Sequence, residues 1–148
     1  MAKIFLAGII QGSISERAIH AQDYRGDIKR LLSKYAPKYD FYCPIANHPE
    51  SLGYAHDHGL KVFLDHIEMA RASDILLAYI PQASMGTAIE MWEAHNAGRL
   101  IITISPLAEN WTIKFLSDLV LPDIPAFESF LASGGLDEAL YDKVKNKT

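Results

Sequence analysis

Asp74-Ile-Leu-Leu-Ala-Tyr-Ile80-Pro-Gln-Ala-Ser84-Met-Gly-Thr-Ala-Ile-Glu90 is the stretch that decides the fold. Residues 75–80 form an unbroken apolar run, the pattern of a strand buried on both faces. Pro81 ends it, and residues 81–84 read as a turn. Residues 86–96 then read as a helix closed by Gly98. Strand, short turn and helix in that order are half of a parallel crossover unit.

The same alternation runs outward in both directions. Upstream, residues 3–10 are a first buried strand ending in Gln11-Gly12-Ser13. Residues 22–35 carry Ile28, Leu31, Leu32 and Tyr35 at helical spacing, with Pro37 beyond them. Residues 39–43 form a short second strand stopped by Pro44. Residues 45–58 read as an irregular polar loop, of a length that usually serves function or stays mobile. Residues 60–72 read as a helix whose apolar face is Leu60, Phe63, Leu64, Ile67 and Ala70. Downstream come a strand at 100–105 stopped by Pro106, a helix over about 110–118, a segment at 119–121 and one or two short helices. The end from Asp142 is expected to fray. This order predicts an α/β three-layer sandwich, flavodoxin-like or Rossmann-like, with a central parallel sheet of about five strands. Residues 1–148 read as one domain, without repeat, linker or low-complexity tract. In such sheets ligands sit at the carboxyl ends of the strands, so the loops after Gly8, Cys43 and Tyr79 are where function is sought.

Composition narrows the classes. Of 148 residues 49% are hydrophobic and 22% charged, an ordinary globular balance that buries a core without staples. The net charge is −4 and there is no dense Lys/Arg block, which argues against a nucleic-acid polymer as partner. A small anion remains compatible, needing only a few N–H groups at a helix start. No apolar stretch reaches membrane-span length, and the N-terminal run is too short for a secretory signal. Cys43 is alone, so no internal disulfide forms, and a reducing, cytoplasmic setting is expected. The sequons at Asn110 and Asn146 are read as chance matches in the absence of such a signal.

Glu90 is the carboxylate that stands out. Gly86 lets backbone approach a ligand closely, the first-turn N–H groups face the strand ends, and a carboxylate one turn in points toward the same crevice. Ala88, Ala94 and Ala97 suit close packing of this helix on the sheet, and Glu93 shares part of the Glu90 face. Ser84-Met-Gly-Thr-Ala-Ile-Glu90 after a strand and a proline turn resembles the nucleophile motif of the nucleoside 2-deoxyribosyltransferase family, which includes 2′-deoxynucleoside 5′-phosphate N-hydrolases and CMP N-glycosidases. The resemblance covers most of the chain. Residues 5–13, including Phe5, Gly8, Ile10, Gln11 and Ser13, look like the family's substrate-binding first loop. Asp65 falls where the family has an aspartate on the helix before the third strand, and the segment starting at Asn110 matches one that reaches a neighbouring subunit's site.

The resemblance implies a retaining mechanism: Glu90 attacks the anomeric carbon of a nucleoside or nucleotide, and the sugar passes from the glycosyl-enzyme ester to water or to a second base. Asp65 would bind a sugar hydroxyl or help the base depart. Hydrogen bonds to Glu90 would keep it ionised. Ser84, Gly86 and Asn110 would touch substrate, and a homo-oligomer, dimer or higher, would complete each site. Three positions depart from the family pattern. Ser84 stands near the transferases' aspartate and favours a 5′-monophosphate. Gln11 replaces the hydrolases' arginine and weakens phosphate binding, for which Ser13, Arg17 or Arg25 are substitutes. Phe5 replaces a tyrosine that orients the nucleophile, as in relatives acting on ribonucleotides.

Other chemistries fit less well. His48, His56, His58 and His66 lack zinc-site spacing, so no metal is expected, although one histidine could stack on a base or cover the site. Tyr42, Tyr54, Tyr79 and Trp111 are further stacking surfaces, with core packing the commoner role. Gly8-Ile-Ile-Gln-Gly12-Ser13 is neither a Walker loop nor a dinucleotide fingerprint, and no Gly-x-Ser-x-Gly elbow is present. No cofactor is implied. The alternative from another class is a non-catalytic nucleotide-binding or sensing module.

Overall fold

The structure, a computed structural model, describes residues 1–146. Its strands are β1 (Lys3–Gly8), β2 (Asp40–Tyr42), β3 (Ile75–Tyr79), β4 (Leu100–Ile104) and β5 (Leu119–Leu121). Its helices are α1 (Asp23–Tyr35), α2 (Pro44–Asn47), α3 (His56–Ala72), α4 (Met85–Asn96), α5 (Trp111–Leu116), α6 (Ile124–Ala132) and α7 (Gly135–Lys145). All strand pairs are parallel, in the order β2-β1-β3-β4-β5. This is the expected α/β three-layer sandwich with five strands.

Side-chain alternation along the strands splits the core. Ile4, Leu6, Ile75, Leu77, Leu100 and Ile102 pack with Ile28, Leu31 and Leu32 of α1 and with Phe127 and Leu131 of α6. Phe5, Ala7, Leu76, Ala78 and Ile101 face the other way, against Ala70 of α3, Met91 and Ala94 of α4 and Ile113 of α5. The alanines on that face bring α4 close to the sheet. The chain order reverses between β1 and β3, where Gly8 lies beside Tyr79 and Ile9 N–H donates to the Tyr79 carbonyl at 3.1 Å. A crevice opens at such a reversal, past the strand ends.

Several boundaries differ from the sequence expectation. β1 ends at Gly8 rather than residue 10, because the chain lifts off the sheet after Ile9. The stretch 45–58 is not irregular throughout: it holds α2, a 3-10 turn at Ser51–Gly53 and the start of α3. α5 ends at Leu116, and Asp118 instead accepts from Ile101 N–H at 2.8 Å. Helix α7 continues through Lys145 where fraying was expected, and Lys143 pairs with Asp118 at 2.6 Å. Residues 147 and 148, part of that expectation and of the second sequon, lie outside the described residues.

Helix α3 carries the largest correction. It buries Val62 and Ala70, whereas Leu60, Phe63 and Leu64 are 46%, 45% and 53% exposed. The helix is apolar on more than one side, and the narrow side through Ala70 takes the sheet. No helix among the described residues is long and apolar enough to cross a membrane.

Candidate active site

The crevice past β1 and β3 encloses about 310 Å³. The loop Ile10-Gln11-Gly12 forms one rim, with Gly8 at the floor. Ser84, Met85, Gly86, Thr87 and Glu90 line it from α4. The facing wall is Ile45, His48 and Tyr54, continued by Val62, Phe63 and His66 of α3.

The start of α4 is built for open N–H groups. Ser84 caps it, its Oγ accepting from Thr87 N–H at 3.4 Å and lying 2.8 Å from Thr87 Oγ1. A Cβ added at Gly86 would meet no protein atom within 4 Å, so the backbone there faces open space. Glu90 follows one turn later, half-buried. Burial pushes its carboxyl up to about 8, against the pull of the Arg25 guanidinium. Among the described residues no donor hydrogen-bonds this carboxylate, contrary to the expectation that such bonds hold it ionised.

Arg25 is 6% exposed, a buried cation behind the floor. Its Nη2 donates to the Gly8 carbonyl at 3.2 Å, its Nε to Gln22 Oε1 at 2.6 Å and its Nη1 to Cys43 Sγ at 3.5 Å. Tyr24 donates to the Ile9 carbonyl at 3.0 Å and stacks on Tyr79 at 4.1 Å. Gly8 has to be glycine here, since a Cβ would stand 2.3 Å from Tyr24 Oη. Gly12 holds φ at +56°, with the His20 ring against it. The sequence offered Arg25 only as a substitute phosphate ligand, and Tyr24 and Gln22 not at all.

On the facing wall, His66 Nε2 lies 3.1 Å from Tyr42 Oη, and His48 Nδ1 lies 3.0 Å from Tyr54 Oη. The two imidazoles meet edge-on at 5.2 Å. Burial, and then His48, hold the His66 imidazole below its usual range, while Asp65 pulls the other way. Among the described residues no three histidines, cysteines or carboxylates gather as metal ligands.

The expected residues divide accordingly. Gly8, Ile10, Gln11, Ser84, Gly86 and Glu90 line the crevice together. Phe5 does not: it is 2% exposed and stacks on Tyr42 at 5.7 Å, supporting the wall from below. Ser13 and Arg17 are exposed beyond the rim. Asp65 is turned to solvent and paired with Lys61, and its neighbour His66 faces the crevice instead. One residue along a helix rotates a side chain by about 100°, which separates the two. Asn110 caps α5 and lines a separate hollow of about 180 Å³ on the far side of Ser84.

No family model and no curated relative matches the chain. Solved structures share its fold. A 2-deoxyribosyltransferase from Bacillus psychrosaccharolyticus is 22% identical with a TM-score of 0.66, over 86% of this chain and 90% of that one. A conserved protein from Enterococcus faecalis V583 is 20% identical with a TM-score of 0.62, over 90% and 98%. FerB, a flavoenzyme NAD(P)H:(acceptor) oxidoreductase from Paracoccus denitrificans, is 12% identical with a TM-score of 0.54, over 98% of each. A transferase and an oxidoreductase on one architecture mean that the chemistry has to be argued from the crevice.

Proposed function

We propose that this chain cleaves the N-glycosidic bond of a nucleoside or nucleoside 5′-monophosphate, with Glu90 as nucleophile and water as the acceptor of the sugar. The observation that carries the reading is Glu90 itself: a carboxylate one turn into a capped helix, open to the crevice and without a hydrogen bond among the described residues. The fold shared with a 2-deoxyribosyltransferase supports the same reading.

In this mechanism one Glu90 oxygen attacks the anomeric carbon as the base leaves, giving a glycosyl ester that water then opens. The free N–H groups at the start of α4, with the hydroxyls of Ser84 and Thr87, suit a 5′-phosphate. The apolar surface on α3, α4 and α5 suits assembly into an oligomer in which Asn110 serves a neighbouring crevice.

The test is release of free base from a panel of nucleosides and monophosphates, followed by chromatography, with Glu90→Ala beside it. Release that the variant lacks supports the reading, and equal release by both removes Glu90 from it. A second free base in the assay separates hydrolysis from transfer. A nucleotide-binding module without catalysis is the second reading, favoured by a Glu90 that burial keeps protonated near neutral pH. It predicts saturable nucleotide binding with no base released.

A further inference from the structure

Glu90 is the only carboxylate on the crevice wall among the described residues, and the remaining ionisable groups there are His48, His66 and Tyr54. A retaining glycosidase needs two groups, a nucleophile and an acid that protonates the leaving group. Resting on the glycosidic reading above, we infer that His66 is the acid of this crevice, protonating the departing base in the place expected of Asp65.

Geometry selects His66 over His48. It projects from α3, the helix packed along α4 where Glu90 sits. His48 caps the C-terminal end of the short helix α2, which does not pack on α4, and its Nδ1 is taken up by Tyr54 Oη at 3.0 Å. His66 is held from two sides, by Tyr42 Oη at 3.1 Å and by the Phe5 ring at 6.3 Å. The phenol suits an imidazole that changes state. It accepts from Nε2–H in both charge states, so His66 keeps its partner throughout and the proton that moves is the one on Nδ1. Burial holds the Tyr42 phenol neutral, as this requires.

The protons balance. Glu90 bonds to the anomeric carbon, the glycosidic electron pair leaves with the base nitrogen, and that nitrogen takes the His66 proton. Water then attacks the same carbon, the ester electron pair returns to Glu90, and the water proton passes to His66. The groups around His66 are Asp65 on its own helix, His48 from α2, Tyr42 from β2, and Arg25 from α1. With Glu90 raised to about 8 and His66 lowered, the pair holds one proton between these two ionisations. Moving it from Glu90 to His66 creates nucleophile and acid together, without changing the net charge of the crevice.

Leaving groups of different basicity test this. A para-nitrophenyl ribofuranoside 5-phosphate and its 2-deoxy analogue release nitrophenolate, which needs no proton, whereas a nucleoside monophosphate releases a base that does. His66→Gln is expected to lower base release by about 10²–10⁴-fold and to leave the first-turnover burst of nitrophenolate nearly unchanged, with unaltered thermal unfolding. The steady release that follows the burst slows, because opening of the ester still needs a group to take the water proton. Glu90→Ala abolishes both. In the unsubstituted chain base release falls above the upper ionisation, while nitrophenolate release rises through it. Equal loss of base release and of the nitrophenolate burst in His66→Gln, or loss of neither, overturns the assignment of His66 alone. Absence of both activities in the unsubstituted chain overturns it together with the glycosidic reading.

Discussion

The Arg25 guanidinium donates to the carbonyl of Gly8 at 3.2 Å, which sets a buried cation under the floor on which Glu90 opens. Arg25 opposes the burial that raises Glu90, so removing it drives the carboxyl further up. Arg25→Met also strips partners from the Gly8 carbonyl and Gln22. We expect it to lose about 2–4 kcal/mol in urea unfolding and to shift the ionisation of Glu90 upward in a titration followed by NMR. Arg25→Lys restores the charge without the fork and recovers part of each effect. A Glu90 ionisation unchanged in Arg25→Met contradicts the electrostatic link.

Glu90 couples pH to stability in a definite direction. Its folded ionisation near 8 lies above the ordinary value of 4.5, so the fold binds a proton that the unfolded chain has lost between those values. Stability from this group is complete below about 4.5, declines as pH rises toward 8 and is fully lost above it. Glu90→Gln removes the ionisation. It is expected to match the parent at pH 4 and to exceed it at pH 8 by about 2 kcal/mol, a figure discounted because the carboxyl opens to water. Denaturant midpoints across the range check this, and a gap that narrows with rising pH refutes it.

Gly8 and Tyr24 form a second tight pair, a built Cβ standing 2.3 Å from Tyr24 Oη and 3.0 Å from its Cζ. Gly8→Ala forces the ring off Tyr79 or lifts the loop after Ile9. A cost of about 1–3 kcal/mol is expected from such overpacking. Tyr24→Phe removes the nearest clashing atom, so the double variant should lose less than the sum of the two single ones. Strict additivity in thermal unfolding would show that the loop, not the ring, yields.

How much of this was legible in sequence depended on what each residue answers to. The strand at 75–80 and Glu90 follow from local pattern, an apolar run, a proline stop and a capped helix. Arg25 did not, because a charged residue on a helix reads as solvated until the Gly8 carbonyl, Gln22 and Cys43 are brought around it. Asp65 and His66 are adjacent in sequence and face different directions. Choosing between them needed the phase of α3, and its Leu60, Phe63 and Leu64 gave a false one by being apolar without being buried. The turns inside 45–58 are too short to show a period at all.

Those exposed side chains carry the last prediction. Leu60, Phe63 and Leu64 of α3, Ile89 and Trp92 of α4, and Trp111 and Phe115 of α5 stand on three helices covering one face of the sheet, and Trp92 and Trp111 are 54% and 76% exposed. A monomer rarely leaves so many large apolar groups on one side in water, whereas a symmetric interface uses such a face. Sedimentation at micromolar concentration is therefore expected to give a dimer or larger species. Trp92→Glu, placing a charge amid that face, should shift it toward monomer with the helical circular-dichroism signal retained. Because Asn110 and Ser84 sit at the edge of this face, the dissociated form is also expected to bind nucleotide more weakly. A parent chain that sediments as monomer throughout the range, with binding unaffected by Trp92→Glu, would show that each crevice is complete within one chain.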